Sequence, residues 1–235
     1  MAAAAERCPV AFVSLSGVDK DYALGATAVR ALRGIDLEIA RGEFMAVWGP
    51  SGSGKTSLLN LIGLLDKPTR GSVHLEGERV DRLPDARLAR TRARHIGIVF
   101  QSFNLVPVLD ACENVMLPLQ IAGQGARAAR EIALRRLDQV GLGEHCARRP
   151  DQLSGGQRQR VAIARALAAS PGLVIADEPT ANLDSETSLA IVELMRELNR
   201  RDGVTFLFST HDPRLLERVD RRVHLQDGRI IAEPA

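Results

Sequence analysis

The first part of the chain alternates short apolar runs with turn residues, and no helical period of useful length appears there. Three runs, AFVSL, GIDLEI and FMAVW, lie between residues 10 and 48 and predict a small sheet. A glycine-rich turn follows, and then TSLLNLIGLL, in which Leu58, Leu59, Ile62 and Leu65 recur at helical spacing. The pattern predicts a strand, a glycine loop and a helix in that order.

The middle of the chain has a different pattern. Residues 102–153 are punctuated by Pro107 and Pro118, and their apolar positions predict an amphipathic helix between Gly125 and Gly141. We interpret this stretch as a mostly helical insertion.

Beyond the insertion, short apolar runs are separated by a helical segment. LVIA (173–176) and TFLFS (205–209) are predicted strands, and residues 185–199 are a predicted helix. Strands that alternate with helices imply a parallel α/β core. The tail RRVHLQDGRII has an Asp-Gly turn between two β-prone runs and predicts a terminal hairpin.

Composition narrows the class of protein. The 235 residues are 45% hydrophobic and 26% charged with a net charge of +2, so overall charge does not point to a nucleic acid or an acidic membrane surface. The apolar stretch 58–65 falls short of the roughly 18 to 20 residues of a bilayer span. MAAAAERCPV lacks the features of a secretory signal, so a cytoplasmic location is expected. Cys8, Cys112 and Cys146 form no CxxC pattern and are expected to be reduced packing residues.

A glycine-rich loop carries the first chemical signal. Residues 49–56, GPSGSGKT, fit the pattern G-x-x-x-x-G-K-[ST] between a predicted strand and a predicted helix. Its glycines allow successive backbone N–H groups to turn inward around phosphate oxygens, and the helix N-terminus adds its positive end. Lys55 would reach the β- and γ-phosphates, and the Thr56 hydroxyl suits Mg²⁺. The loop therefore predicts a nucleotide phosphate site.

Two acidic residues follow the apolar run LVIA. Asp177 and Glu178 come at the carboxyl end of that predicted strand, where α/β sheets bind ligands. Burying carboxylates there without a cation would be costly. We therefore expect Asp177 to hold Mg²⁺ and Glu178 to orient and polarise the water that attacks the γ-phosphate.

The motif LSGGQ, residues 153–157, is the most specific stretch of the chain. At about 7% per position, five specified residues recur by chance on the order of once per million positions. Ser154 is also a good N-cap for the helix-forming run that follows, which leaves the N–H groups of Gly155 and Gly156 available as a second anion site. Together with the phosphate loop and the acidic pair, this motif makes nearly the whole chain similar to the ABC-type ATPases.

The resemblance implies an α/β fold in which a P-loop NTPase core with a parallel sheet carries an N-terminal antiparallel β subdomain and an inserted helical subdomain. It describes residues 1–235 as a single ABC ATPase domain. Residues 1–101 and 156–235 would form the RecA-like core with the β subdomain. Residues 102–155 would form the helical subdomain, which ends in LSGGQ, the signature motif of the family.

The resemblance also assigns roles residue by residue. Tyr22 is similar to the aromatic residue that stacks on adenine, Gln101 in VFQSF to the Q-loop glutamine, residues 181–184 (ANLD) to the D-loop, and His211 in STHD to the switch histidine. Catalytic roles are implied for Lys55, Gln101, Glu178 and His211. Mg²⁺ contacts are implied for Thr56, Gln101 and Asp177. ATP contacts are implied for Tyr22, Gly49, Pro50, Ser51, Gly52, Ser53, Gly54, Lys55, Thr56, Ser57, Ser154, Gly155, Gly156 and Gln157.

Two anion-binding surfaces on one fold are consistent with two copies of the chain that pair head to tail. The family implies that the signature motif of each copy closes over the ATP held by the other copy. Hydrolysis would then release the homodimer. Without a membrane span, the chain resembles a separate ATPase subunit that docks on a permease, peripheral to the inner face of the membrane. The docking surface is expected at Gln101 and the residues after it, where Phe103, Leu105 and Val106 are expected to be exposed and could line a groove.

A narrower similarity is to the macrolide-export and lipoprotein-release ATPases, which work with a permease and in some systems a periplasmic adaptor. It rests on GLLDKPTRGSV, on residues 96–123 and on PTANLDSETS. Ala181 and Cys112 depart from the subgroup, whose members more often carry Gly and Leu there. The transported substrate is not read by any residue of this chain.

Other functions compete with transport. A regulatory or mechanotransmission module, in which ATP switches a membrane partner without moving cargo, fits the same motifs. A soluble ABC ATPase acting on nucleic acid is disfavoured, because only 3% of residues are aromatic. The cluster Arg87, Arg90, Arg92 and Arg94 is expected to be a solvated helix face, so no nucleic-acid partner is expected. A P-loop kinase or GTPase does not use LSGGQ.

Overall fold

The structure is a computed structural model that describes residues 11–25 and 27–231. The N-terminal decapeptide, on which the expectation about a signal peptide depends, and Cys8 lie outside the described residues. The strands are β1 (Val13–Leu24), β2 (Thr27–Ile39), β3 (Phe44–Trp48), β4 (Arg70–Leu75), β5 (Glu78–Arg79), β6 (Ile96–Val99), β7 (Leu173–Ala176), β8 (Thr205–Thr210), β9 (Arg221–Gln226) and β10 (Arg229–Ile231). The helices are α1 (Lys55–Ile62), α2 (Asp85–His95), α3 (Ala111–Ile121), α4 (Ala126–Gln139), α5 (Gly155–Leu167), α6 (Ser185–Asp202) and α7 (Pro213–Leu216).

A six-stranded sheet forms the centre of the molecule in the order β10-β9-β3-β8-β7-β6. The pairs β9-β3, β3-β8, β8-β7 and β7-β6 are parallel, and only β10 runs antiparallel to its neighbour β9. This confirms the predicted parallel core and the terminal hairpin. The carboxyl ends of β3, β8 and β7 therefore lie side by side at one edge of the sheet.

A second, antiparallel sheet has the order β2-β1-β4-β5. The long strands β1 and β2 pair from Val13 opposite Ile39 to Leu24 opposite Thr27, with shifts of register between Leu15 and Asp21. The predicted small sheet is therefore present, although its first strand extends well beyond the run AFVSL. The α/β class with a parallel core and an antiparallel β subdomain is confirmed.

Alternating residues of the central strands enter two separate apolar clusters. In β3, Phe44 and Ala46 pack with the cluster that includes the buried residues of α3 to α6, whereas Met45 and Val47 pack with the cluster that includes α1 and the antiparallel sheet. All four side chains are fully buried. Because successive strand residues point to opposite faces, a continuously apolar strand such as FMAVW is the expected sequence for a sheet covered on both sides.

Two helices differ from the predicted bounds. α1 ends at Ile62 because Leu64 takes a left-handed φ of 54°, so the predicted extension to residue 65 is wrong. α6 continues to Asp202, three residues beyond the predicted end, and stops at Gly203 with a φ of 67°.

α3 contains Pro118 in its interior. A helix loses one backbone hydrogen bond at such a proline, and the buried apolar side chains of α3 compensate for that loss.

α4 confirms the helix predicted between Gly125 and Gly141. α2 carries the predicted arginine face, of which Arg92 donates to Leu64 O at 2.5 Å. Arg87, Arg90 and Arg94 are exposed.

Two cysteines fall within the described residues. Cys112 is buried, Cys146 is half-buried and both are free thiols, which agrees with the predicted packing role. Burial, the largest contribution, raises the pKa of the Cys112 thiol, so this side chain stays neutral near pH 7. None of the described helices combines the length and the apolar character that crossing a membrane requires.

Candidate nucleotide site

The phosphate loop connects β3 to α1, as its sequence predicts. Gly49, Gly52 and Gly54 have φ values of 152°, 77° and 104°, which residues with a side chain rarely adopt. The buried Lys55 ammonium bends back over the loop and donates to Gly49 O at 2.9 Å and to Pro50 O at 3.0 Å. The loop therefore forms a compact nest whose single cation lies against its own carbonyl oxygens.

Backbone contacts from distant strands hold this loop. The Gly228 N–H donates to Ser53 O at 3.0 Å, so the turn between β9 and β10 lies against the loop. A Cβ atom at Gly49 would come within 2.0 Å of Leu225 O, and one at Gly54 within 2.6 Å of Ala31 O. Glycine is therefore required at both positions by close packing as well as by φ.

The polar side chains in and near the loop fit a nucleotide with its metal ion. Ser53 Oγ is buried and makes no hydrogen bond within the part of the chain that the structure describes. Thr56 is exposed on the first turn of α1, so its hydroxyl is accessible to a ligand. No group of three or more His, Cys, Asp or Glu side chains among residues 11–25 and 27–231 is arranged to hold a metal. Mg²⁺ with a nucleotide commonly uses one or two protein oxygens, phosphate oxygens and water, so Thr56 and Asp177 fit it.

The acidic pair follows β7, whose four residues are buried. The Asp177 N–H still bonds to Val99 O at 3.1 Å, and the chain then turns sharply, with a φ of 44° at Glu178. His211, which follows β8, lies with Nδ1 3.3 Å from Glu178 Oε2. The structure thus brings together Glu178 and His211, two residues that the sequence singles out separately.

Ser209 connects these residues and was missed by the sequence reasoning. Its hydroxyl donates to Asp177 Oδ1 at 2.7 Å and accepts from the Glu178 N–H at 2.8 Å. The only signal is its position in STHD, two residues before His211, on the strand next to β7. A serine in an apolar strand carries little information until the strand order is known.

Gln101 follows β6 and is exposed. Its carbonyl oxygen accepts from Asn182 Nδ2 at 3.1 Å, which joins the Q-loop to residues 181–184. The next residues, Phe103 and Asn104, have left-handed φ values of 61° and 47°. Arg165 of α5 donates to Phe103 O at 2.7 Å and to Asn104 O at 2.5 Å. The Q-loop is therefore fixed from two sides.

The signature motif opens α5. Ser154 is the N-cap, as predicted: its Oγ accepts from the Gln157 N–H at 3.2 Å while Gln157 Oε1 accepts from the Ser154 N–H at 3.0 Å. A Cβ at Gly156 would come within 2.6 Å of Thr187 Cγ2. Within one chain, the described hydrogen bonds and ion pairs do not join residues 153–157 to the phosphate loop.

Asp184, the last residue of the predicted D-loop, caps α6. Its Oδ1 accepts from the Thr187 N–H at 2.9 Å and its Oδ2 from the Thr187 hydroxyl at 2.6 Å. These bonds hold the pKa of Asp184 below its usual value, and the bond from the Thr187 hydroxyl has the largest effect.

Tyr22 lies on β1 and is half-buried. Its hydroxyl donates to Asp66 Oδ2 at 3.0 Å, and the Lys20 ammonium lies 4.8 Å from the centre of its ring. Burial would raise the pKa of Asp66, but hydrogen bonds from Lys20, the Lys67 N–H and Tyr22 hold it below its usual value. The orientation of Tyr22 is thus set by a carboxylate that the sequence reasoning did not include.

The sequence profile of the ABC transporter family matches residues 32–181. The chain belongs to the ABC transporter family. The resemblance drawn from its motifs is therefore confirmed, and the chain is an ATP-binding and ATP-hydrolysing cassette of that family.

Curated relatives place this ABC cassette near two named systems. It is 55% identical over 222 residues to the lipoprotein-releasing system ATP-binding protein LolD of Anaeromyxobacter dehalogenans, covering 94% of this chain and 93% of the relative. It is 49% identical over 225 residues to the macrolide export ATP-binding/permease protein MacB of Syntrophobacter fumaroxidans, covering 94% of this chain but only 31% of that longer protein. The chain is thus similar to the ATP-binding proteins of the LolD and MacB type.

A solved structure supports the fold. The ATP-binding cassette MJ0796, described as a dimer in a post-hydrolysis state bound to ADP and Pi, superposes with a TM-score of 0.86 at 43% identity, covering 94% of this chain and 97% of that one. A curated relative of the same name, from Methanocaldococcus jannaschii, is 44% identical over 225 residues. The ABC ATPase fold predicted from the motifs is confirmed.

Proposed function

We propose that this chain is the ATP-hydrolysing subunit of a membrane transport complex of the export or lipoprotein-release type, acting on a separate permease from the cytoplasmic face of the membrane. The catalytic part of this proposal depends on the contact between Glu178 and His211. This contact lies beside Asp177 and is one strand away from β3 and its phosphate loop. The 55% identity to a lipoprotein-releasing subunit over nearly equal lengths supports the transport part.

The chemistry follows from the positions of these side chains. Lys55 exchanges its bonds to Gly49 O and Pro50 O for phosphate oxygens, and the N–H groups of the loop add further donors. Glu178 acts as the general base towards a water molecule, and His211 keeps that carboxylate and the γ-phosphate in register. Positioning and charge neutralisation supply most of the rate in such reactions.

Thr56, Gln101 and Asp177 would hold Mg²⁺, which supplies neutralisation of phosphate charge when bound. Tyr22 would stack on adenine, while residues 154–157 of a second copy would contact the phosphates through the start of α5. In this scheme residues 102–155 form the helical subdomain that carries the signature.

Two substitutions test the catalytic assignment. Glu178→Gln removes the base but keeps the size of the side chain, so kcat should fall by roughly 10²- to 10⁴-fold while ATP binding remains. Lys55→Ala should abolish ATP binding instead, because it removes the cation of the nest. Steady-state ATPase assays and titration with a fluorescent ATP analogue measure both. A near-normal rate in Glu178→Gln would remove Glu178 from the role of base.

The second part of the proposal is a head-to-tail homodimer with ATP between the two copies. Each chain carries a phosphate loop and, separately, a helix start at Gly155 and Gly156, and two copies can bring one against the other. ATP should therefore dimerise the Glu178→Gln variant, which binds without turnover, and should leave Lys55→Ala monomeric. Analytical ultracentrifugation decides this. The same monomer in both variants at saturating ATP contradicts the dimer.

The third part is the membrane partner. Phe103, Leu105 and Val106, which were expected to be exposed, are half-buried, and Leu105 packs against the apolar core. The surface that they leave open beside the exposed Gln101 supports a docking surface for a permease at the Q-loop. A tagged Glu178→Gln variant, purified with ATP from detergent-solubilised native membranes, should retain one polytopic membrane protein, and in an export system a periplasmic adaptor, identified by mass spectrometry. Recovery of soluble partners or nucleic acid alone would contradict it. A membrane partner that contains no transport pathway would favour mechanotransmission instead.

A further inference from the structure

Ser209 occupies an uncommon position between the two acidic residues. In the parallel pair of β7 and β8, Ala176 lies opposite Phe208, so Asp177 and Ser209 come next on the two strands. The Ser209 side chain is fully buried. Its single hydroxyl donates to the Asp177 carboxylate and accepts from the Glu178 backbone N–H. One group therefore contacts both consecutive acids.

The backbone at Glu178 needs such a partner. Its φ of 44° is left-handed, and a residue with a side chain adopts this region at a cost. The turn takes the Glu178 N–H out of the strand ladder, and Ser209 Oγ receives it at 2.8 Å. On the other side, Glu178 O accepts from the Ala181 N–H at 3.2 Å. The backbone that aims the Glu178 side chain at His211 is thus held at both of its polar groups.

The bond to Asp177 has a second effect. The Ser209 hydroxyl donates to Oδ1, so it fixes the rotation of the carboxylate and engages only one of its two oxygens. Because the Glu178 N–H satisfies the hydroxyl oxygen, the hydroxyl proton is directed to Asp177. The Glu178 N–H donates to Ser209, and Ser209 in turn donates to Asp177. These two hydrogen bonds in series set the geometry of both acids together.

We propose that Ser209 is a positioning residue for ATP hydrolysis, whose hydroxyl holds the Asp177 carboxylate and the Glu178 backbone in their working arrangement. This inference rests on the proposed roles of the two acids and adds a residue to which the motifs assign nothing. Ser209 need not touch the nucleotide, because it acts through its two neighbours.

The test compares two buried hydroxyls on the same strand. Ser209→Ala removes the hydroxyl between the acids without adding volume. Thr205→Val removes the hydroxyl at the other end of β8, which is also fully buried and accepts the Gly42 N–H at 2.9 Å. Both variants leave a backbone N–H without its partner, so both should lose some stability. Only the first should change Mg²⁺ dependence and catalysis.

We expect Ser209→Ala to lower kcat roughly tenfold or more, with a smaller change in KM for ATP. The Mg²⁺ concentration for half-maximal binding of a fluorescent ATP analogue should rise, while binding without Mg²⁺ stays as in the wild type. Hydrogen exchange at the Glu178 amide should be faster. Thr205→Val should leave kcat, the Mg²⁺ dependence of binding and the exchange of the Glu178 amide unchanged.

Equal effects of the two substitutions on kcat, Mg²⁺ dependence and exchange would overturn the positioning role and leave Ser209 as a packing residue. Glu178→Gln, measured alongside, separates the two levels of the proposal. If Glu178→Gln loses its rate and Ser209→Ala does not, only the positioning role fails. If Glu178→Gln keeps its rate, the proposed catalytic role of Glu178 fails, whatever Ser209→Ala shows.

Discussion

At the scale of single residues, Gly156 shows how closely the signature packs on its own chain. A Cβ there would lie 2.6 Å from Thr187 Cγ2. Gly156→Ala should therefore lower the free energy of unfolding by about 1 to 3 kcal/mol through overpacking. Thr187→Ser removes the methyl group and keeps the hydroxyl that bonds Asp184, so the double variant should recover most of that loss. Urea denaturation of the four proteins measures it.

The matched comparison is Gly155→Ala, whose Cβ would lie 3.1 Å from the flexible end of Leu183. Leu183 can move aside, so this change should cost less than Gly156→Ala. If Thr187→Ser stabilised the wild type as much as it stabilises Gly156→Ala, the loss would not come from this contact.

The same scale shows which site residues a sequence can reveal. The phosphate loop, LSGGQ and the acidic pair are each a continuous stretch of sequence. The residue spacing within each stretch therefore identifies it before any fold is known. Ser209 acts on Asp177 across 32 positions, and Tyr22 is held by Asp66 across 44. No local pattern marks such partners, because the strand order and the packing of loops decide them.

At the scale of elements, the guanidinium of Arg165 ties α5 to the Q-loop. It bonds the carbonyl oxygens of Phe103 and Asn104, two successive left-handed residues. Arg165→Met keeps apolar bulk and loses both bonds, so the free energy of unfolding should fall by about 2 kcal/mol. The loop should also open more often, which limited chymotrypsin cleavage at Phe103 would detect.

Arg160→Met is the control on the same helix, because Arg160 donates to Val140 O at 2.8 Å, away from the Q-loop. It should cost stability without increasing cleavage at Phe103. Equal cleavage in both variants under native conditions would indicate global rather than local loosening.

Elements themselves were predicted with uneven success for a physical reason. The amphipathic α4 and the strands β3, β7 and β8 are set by burial patterns that the sequence displays. The end of α1 is set instead by the left-handed Leu64, and α3 continues through Pro118 because tertiary packing outweighs one lost hydrogen bond. Local propensity is a weak guide where packing decides.

At the scale of the whole molecule, Asp66 joins the antiparallel sheet to the loop that follows α1. It accepts from Lys20 Nζ at 2.7 Å and from the Tyr22 hydroxyl at 3.0 Å, both on β1, and from the Lys67 N–H at 2.7 Å. These bonds outweigh burial and keep the pKa of Asp66 below its usual value in the folded protein. A carboxyl whose pKa is lower in the folded state binds fewer protons there than in the unfolded chain.

The stabilisation from Asp66 should therefore be complete above the unfolded pKa of about 4 and should disappear as the pH falls through the lower folded value. Asp66→Asn should lower the free energy of unfolding by about 1 kcal/mol, equally at pH 6 and pH 8, and the difference from the wild type should shrink below pH 4. Asp85→Asn is the control, since its exposed ion pair with Lys67 should contribute little. Urea denaturation across this range decides the matter: an Asp66→Asn difference that stays constant down to pH 2.5 would mean that side-chain shape, and not the carboxylate charge, connects the antiparallel sheet to the loop that follows α1.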